Sequence, residues 1–171
     1  MIDMKQMKNL VEIREARQLE HRLEVLWACG GSEPLEIDMQ RWAKAALDEV
    51  TNDPSEVSLK IVSLDEMTEL NGEYREKGKA TNVLSFPLNV EGDDGLSVLG
   101  DVAICLDVVK TEAHEQNISV SAHFAHLLVH GILHLVGYDH ENDEDALKME
   151  TKEVQILAAL GISAPYENDI R

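Results

Sequence analysis

Three histidines, His130, His134 and His140, stand in the segment "HGILHLVGYDH" at spacings of four and six residues. Residues four apart on a helix share a face with Cβ atoms about 6 Å apart, so His130 and His134 can reach one ion through Zn–N bonds of about 2.0–2.1 Å. His140 cannot join them on a continuing helix, because ten residues turn it about 80° from His130 and the rise carries it about 9 Å past His134. The helix must stop and the chain fold back. Gly137 is placed for that reversal, since glycine tolerates the left-handed conformation that ends helices. The helix is otherwise apolar, and burying imidazoles without partners there would cost on the order of 1–3 kcal/mol apiece. Ligating a metal removes much of that cost. Three protein ligands leave a fourth position open, the arrangement of a catalytic rather than a structural zinc.

The neighbouring polar groups are read around that set. His126 shares the face of His130, but a set of 126, 130 and 134 would leave the outer pair about 12 Å apart along the axis. It is therefore placed outside the ligands, as a histidine hydrogen-bonded to a neighbour. His123 is read as a packing or surface residue, while His21 and His114 carry no signal. Asp139, beside the third ligand, either orients an imidazole or caps the turn.

The elements that must position these residues follow from patterning. "LEVLWAC" (23–29) reads as a first strand, and 38–50 as a helix with Asp38 as candidate N-cap. "SEVSLKIVSL" (55–64) alternates Val57, Leu59 and Ile61 against polar neighbours, as a half-buried strand does. A short helix with Asp65 near its start puts Arg75 close to its end. "NVLSFPL" (82–88) is strand-like until Pro87 removes a ladder donor, which suggests an edge. A strand over 96–106 precedes a helix capped by Asp107. The buried helix 121–137 starts at a candidate Ser121 cap, and a final helix over 142–161 ends at Gly161. Sheet elements come first and helices last, so the reading is α+β: one domain, a small mixed sheet packed against helices, with the three-histidine site at the end of a buried helix. Residues 1–22 form a charged extension, 23–166 the domain and 167–171 a tail.

The 171 residues carry 33 acidic against 15 basic groups, a net charge of -18. Such a field repels a phosphate backbone over about the Debye length of ~8 Å, which argues against indiscriminate nucleic-acid binding. Any RNA must be met locally. The basic groups concentrate in the first half, with 11 before Phe86 and 4 after it, and "YREKGK" gathers Arg75, Lys77 and Lys79. No run approaches the ~18 apolar residues of a membrane span and the charged N-terminus lacks a signal peptide's apolar stretch, so the expected location is the cytoplasm. Cys29 and Cys105 are too few for a disulfide framework and form no CxxC pair; they are read as small apolar residues.

The histidine spacing matches the metzincin peptidase pattern H-E-x-x-H-x-x-G-x-x-H except that Gly131 replaces the glutamate that serves as general base. Together with "NGEYREKGKATNVLSFP" (71–87) and "LGDVAICL" (99–106), "HGILHLVGYDH" closely resembles the YbeY family of metal-dependent endoribonucleases, from about Leu23 to Tyr166. The resemblance implies one Zn²⁺ ion per chain on His130, His134 and His140, and a functional role for Arg75. It further implies a single-strand-selective endoribonuclease acting on ribosomal RNA, in maturation of the small-subunit 3′ end and in ribosome quality control, with the ribosome or its proteins as partners. Lys77 and Lys79 would then form a local RNA-binding rim. Asn82 stands where many members carry aspartate. Two other readings compete: a metallopeptidase, motivated by the ligand spacing, and a ribosome-associated binding module whose zinc is structural.

Overall fold

Alternating apolar residues build the sheet. In strand β2 (Ser55–Val62), Val57, Leu59 and Ile61 are buried while Glu56, Ser58 and Lys60 between them are half-exposed, the period-two signature of a strand with one face in the core. The computed structural model describes residues 1–9, 20–75 and 81–164, without the side chains of 73–75. Its other strands are β1 (Arg22–Trp27), β3 (Val83–Glu91) and β4 (Ser97–Cys105), ordered β1-β2-β4-β3. β1, β2 and β4 run parallel, and β3 lies antiparallel to β4 at one edge. The helices are α1 (Glu36–Val50), α2 (Leu64–Arg75), α3 (Leu106–Gln116), α4 (Val120–Leu135) and α5 (Asp143–Ala159), with a short further helix at 4–9. The expected α+β domain with a small mixed sheet is the one observed.

Helix α4 is the centre of the molecule. It contacts α1, α3, α5, β3 and β4, which accounts for a sequence apolar on every side. Phe124, Leu128, Ile132, Leu133 and Leu135 are almost wholly buried on it. At about 1.5–3 kcal/mol per side chain, these five contribute on the order of 10 kcal/mol of gross burial free energy. The main core adds Trp42 of α1, whose ring lies 6.3 Å from that of Phe124. On the opposite face, α2 places Met67 and Leu70 against Val62, Leu84, Ala103 and Cys105. Buried Cys105 and half-buried Cys29 are free thiols. Among the described residues, no single helix is long and apolar enough to cross a membrane.

Several boundaries differ from the sequence-based expectation. The cap of α4 is Ser119, whose hydroxyl accepts from the Ala122 amide; Ser121 lies inside the first turn. Asp38 and Asp107 also sit in first turns rather than at caps, since α1 starts at Glu36 and α3 at Leu106. There they still face the positive end of the helix dipole. Helix α5 is capped by Asn142, which accepts from the Asp145 amide, and closes before Gly161 as expected. Strand β3 does not stop at Pro87. Its register shifts between Pro87 and Val90, with Asn89 at φ 54, and pairing resumes as far as Glu91.

Candidate metal centre

Two imidazoles leave the last turns of α4 and a third returns from the loop beyond it. After the cap at Val136, Gly137 takes φ +101, a conformation L side chains rarely adopt, and the Tyr138 amide bonds back to the Leu133 carbonyl. This reversal brings the His140 ring to 5.6 Å from that of His130 and 5.1 Å from that of His134. The ligating atoms of the three histidines all lie within 4.8 Å of one another. Nothing stands within 4 Å of a Cβ built on Gly137, so only backbone strain opposes a substitution there. Gly137→Ala is expected to lower stability by about 1–2 kcal/mol, and Gly137→Asn by less, because asparagine visits the left-handed region more readily. Thermal unfolding of the two variants checks this, and an alanine variant as stable as the parent would contradict it.

The donor set fits a metal ion. The Nε2 atoms of His130 and His134 stand 3.0 Å apart. Burial disfavours the charged form of His134, and His130 and His140 push the same way. Asp139 and a backbone hydrogen bond at Tyr138 oppose them, and the pKa lies below the ordinary 6.5. A neutral imidazole is the form that ligates. His130 and His134 are half-buried and His140 is exposed, so the cluster opens to solvent on its His140 side. No fourth protein ligand joins these three among the described residues. Asp139 takes the turn-capping role, its carboxylate accepting from the His140 amide at 2.7 Å.

Beneath the ligands lies a residue that sequence reasoning missed. Glu153 of α5 is wholly buried, one oxygen 2.5 Å from His130 Nδ1 and the other 3.0 Å from His126 Nε2. Burial would raise its carboxyl, but the hydrogen bonds from His126 and His130 outweigh it and hold the pKa at about 2. The hydrogen-bonded neighbour expected for His126 is this carboxylate. The signal was present in the sequence: Met149, Glu153, Ile156 and Leu157 form the buried stripe of α5, and one member of that stripe is an acid.

A second clamp lies at the start of α4. Buried His123 reaches Glu112 of α3 at 3.0 Å, and the same Glu112 oxygen accepts from the Asn82 amide at 3.0 Å. Asn82 is therefore used as a donor that joins the entry of β3 to α3 and α4, a task no carboxylate performs.

Gly131 sits where α4 lies flush on the sheet. A Cβ there would meet Val102 Cγ1 at 2.8 Å and Ser85 Oγ at 3.3 Å, and the Ser85 hydroxyl donates to the Gly131 carbonyl at 2.9 Å. Val102 is fully buried in β4 and β-branched, so it has little freedom to yield. The position has no room for the peptidase glutamate. Arg75 is the last residue of α2; its side chain, and the whole of Lys77 and Lys79, lie outside the described residues, as do 10–19 of the expected extension and 165–171 at the C-terminus.

A family profile described as "Endoribonuclease YbeY" matches residues 31–161, which include Arg75, the three histidines and Glu153. The chain belongs to the YbeY endoribonuclease family. The Endoribonuclease YbeY of Colwellia psychrerythraea is 45% identical over 150 residues, covering 85% of this chain and 97% of that protein. That of Cellvibrio japonicus is 47% identical over 134 residues, covering 78% and 76% respectively. The solution structure of a Thermotoga maritima protein superimposes with a TM-score of 0.54 at 30% identity, over 86% of this chain and 97% of that one.

Proposed function

We propose that the protein is a zinc-dependent endoribonuclease that cuts single-stranded regions of ribosomal RNA in the cytoplasm. Its task is maturation of the small-subunit RNA 3′ end and quality control of ribosomes, met on the ribosome or its proteins. The observation that carries this reading is the convergence of His130, His134 and His140 in a chain of the YbeY family. His130, His134 and His140 would hold a zinc ion, which when bound would supply Lewis acidity toward a phosphoryl oxygen or water near neutral pH. The residues of the chain do the rest. The exposed His140 side admits a phosphodiester, Gly137 keeps the third imidazole turned toward the other two, and ionised Glu153 holds His130 in place.

Phosphodiester cleavage builds charge on the non-bridging oxygens, and a planar guanidinium can hold two of them at once. Arg75 is assigned that task, with Lys77 and Lys79 forming the local positive rim that an acidic protein needs. Arg75→Ala is expected to lower the single-turnover cleavage rate by roughly 10²-fold, and Arg75→Lys to recover little of it, because an ammonium lacks the planar fork. Zinc content should be unchanged in both. A lysine variant with full activity would leave Arg75 as a mere surface charge.

The test of the whole reading is cleavage of an unstructured RNA by the purified protein, compared with its histidine variants. The observation at Gly131 disfavours the metallopeptidase, since no carboxylate fits beside the ligands at that position. The structural-zinc alternative predicts a closed fourth position, whereas the three ligands face solvent through His140.

A further inference from the structure

We propose that Glu153 is the positioning residue of the metal centre. One of its oxygens fixes His130 in the Nδ1–H tautomer while the other is anchored by His126, so that the bare Nε2 of His130 is aimed at the ion. The proposal rests on the assignment of His130, His134 and His140 as ligands. Two ring nitrogens stand within hydrogen-bond reach of the two oxygens of one buried carboxylate, which accepts from both, so each nitrogen that faces it carries hydrogen. His130 Nδ1 faces it at 2.5 Å and His126 Nε2 at 3.0 Å. A neutral His130 whose Nδ1–H donates a hydrogen bond to Glu153 has only Nε2 left as a lone-pair donor, and Nε2 is the atom 3.0 Å from His134 Nε2. The opposite tautomer would set a bare nitrogen against the carboxylate and a proton between the ligands.

Two other roles for Glu153 do not fit the distances. It cannot be a fourth ligand to the same ion, because it touches the Nδ1 edge of His130 while the convergent nitrogens lie on the Nε2 edge. Nor do His126, His130 and Glu153 hold a second ion of their own, although their donor atoms also lie within 4.8 Å of one another. Atoms bonded to one zinc at about 2.0–2.1 Å stand about 3.3 Å apart in a tetrahedron. The 2.5 Å between Glu153 and His130 Nδ1 is too close for two donors sharing one ion and is a direct contact between carboxylate and ring nitrogen. The buried carboxylate would also supply a negative charge on the far side of the His130 ring from a bound dication. Because Glu153 sits on α5 and both histidines on α4, the same bonds lock the two helices in the register that presents the site.

The experiment compares the wild type with E153Q and E153A, all prepared metal-free. Zinc affinity is read by competition with a chromophoric chelator, the ligand field by absorption of the Co²⁺ form, and the His130 tautomer by long-range ¹H–¹⁵N NMR of the metal-free protein. The wild type is expected to show a protonated Nδ1 on His130. In E153A that signature is lost and zinc affinity falls roughly 10–100-fold. E153Q, which keeps the shape and one acceptor oxygen, loses less affinity than E153A and shifts the Co²⁺ bands. Where E153A fails to fold, E153Q carries the comparison. Affinity within about twofold of wild type in the folded variants, with tautomer and Co²⁺ spectrum unmoved, overturns the proposal even if the melting temperature drops. A wild type that takes up no zinc sinks the ligand assignment and this proposal together, whereas variants that bind zinc like the wild type sink this proposal alone.

Discussion

RNA cleavage is expected to fall to background in His134→Ala, with the fold intact. His134 is a half-buried residue in the last turn of α4, and alanine is the best helix former, so the substitution leaves the helix in place. What disappears is one of the three nitrogens proposed to hold the ion. Loss of a partner outside the ligand set already costs roughly 10–100-fold in metal affinity or activity. A direct ligand should cost more than the upper end of that range. Zinc stoichiometry and single-turnover cleavage on the same preparation check both halves, and circular dichroism shows whether the helices persist. His130→Ala should match it in cleavage and lower stability further, because it leaves buried Glu153 with one hydrogen-bond partner fewer. Undiminished cleavage by a folded, zinc-free His134→Ala would remove the metal from the reaction altogether.

Gly131→Glu, which restores the peptidase motif letter for letter, is expected to produce a destabilised protein and no peptidase. The new Cβ would press on Val102 Cγ1 at 2.8 Å, and overpacking of this kind costs about 1–3 kcal/mol. The carboxylate beyond it would enter the seam between α4 and the sheet without a cationic partner, which adds about 3 kcal/mol or more. Relief of the helix-breaking tendency of glycine returns only about 1 kcal/mol. The net loss of roughly 3 kcal/mol or more is a large share of a domain's total stability of about 5–15 kcal/mol. It should lower the melting temperature by about 10 °C in a chain of this size. Gly131→Ala brings only the methyl contact and should lose less, and adding Val102→Ala to it should relieve that contact. A stable Gly131→Glu protein that hydrolyses peptides would show the seam to be far softer than its distances imply.

Legibility followed the range of the interactions involved. The His130, His134 and His140 set and the reversal at Gly137 were readable because helix geometry alone decides which spacings can converge. Three strands of the sheet were readable from patterning within a residue or two at their ends, while β3 runs to Glu91, three residues past its expected end. The caps were not: Ser119 and Ser121 are equally good candidates by residue type, and the choice depends on where α3 ends. Asn117 ends it in a left-handed conformation, leaving two residues before α4 begins. Glu153 was legible only in part: an acid on the apolar stripe of α5 could be noticed, but its role could not be read. Its role depends on α5 packing across α4, a contact between residues 23 apart in sequence, and no local pattern names its partners. Gly131 was seen as a departure from a motif; the cause, a helix seated directly on Val102, exists only in three dimensions.

The outer edge of β3 has a consequence for how the molecule behaves in a crowd of its own copies. An exposed edge strand bearing Leu88 and Val90 is a template on which a second chain can add by hydrogen bonding, the first step of polymerisation. Here Pro87 withholds a donor, Asn89 turns the backbone aside, and the ladder slips out of phase before Val90. An incoming strand would find no unbroken row of partners to copy, so the border of the sheet that cannot be covered is instead made illegible to its neighbours.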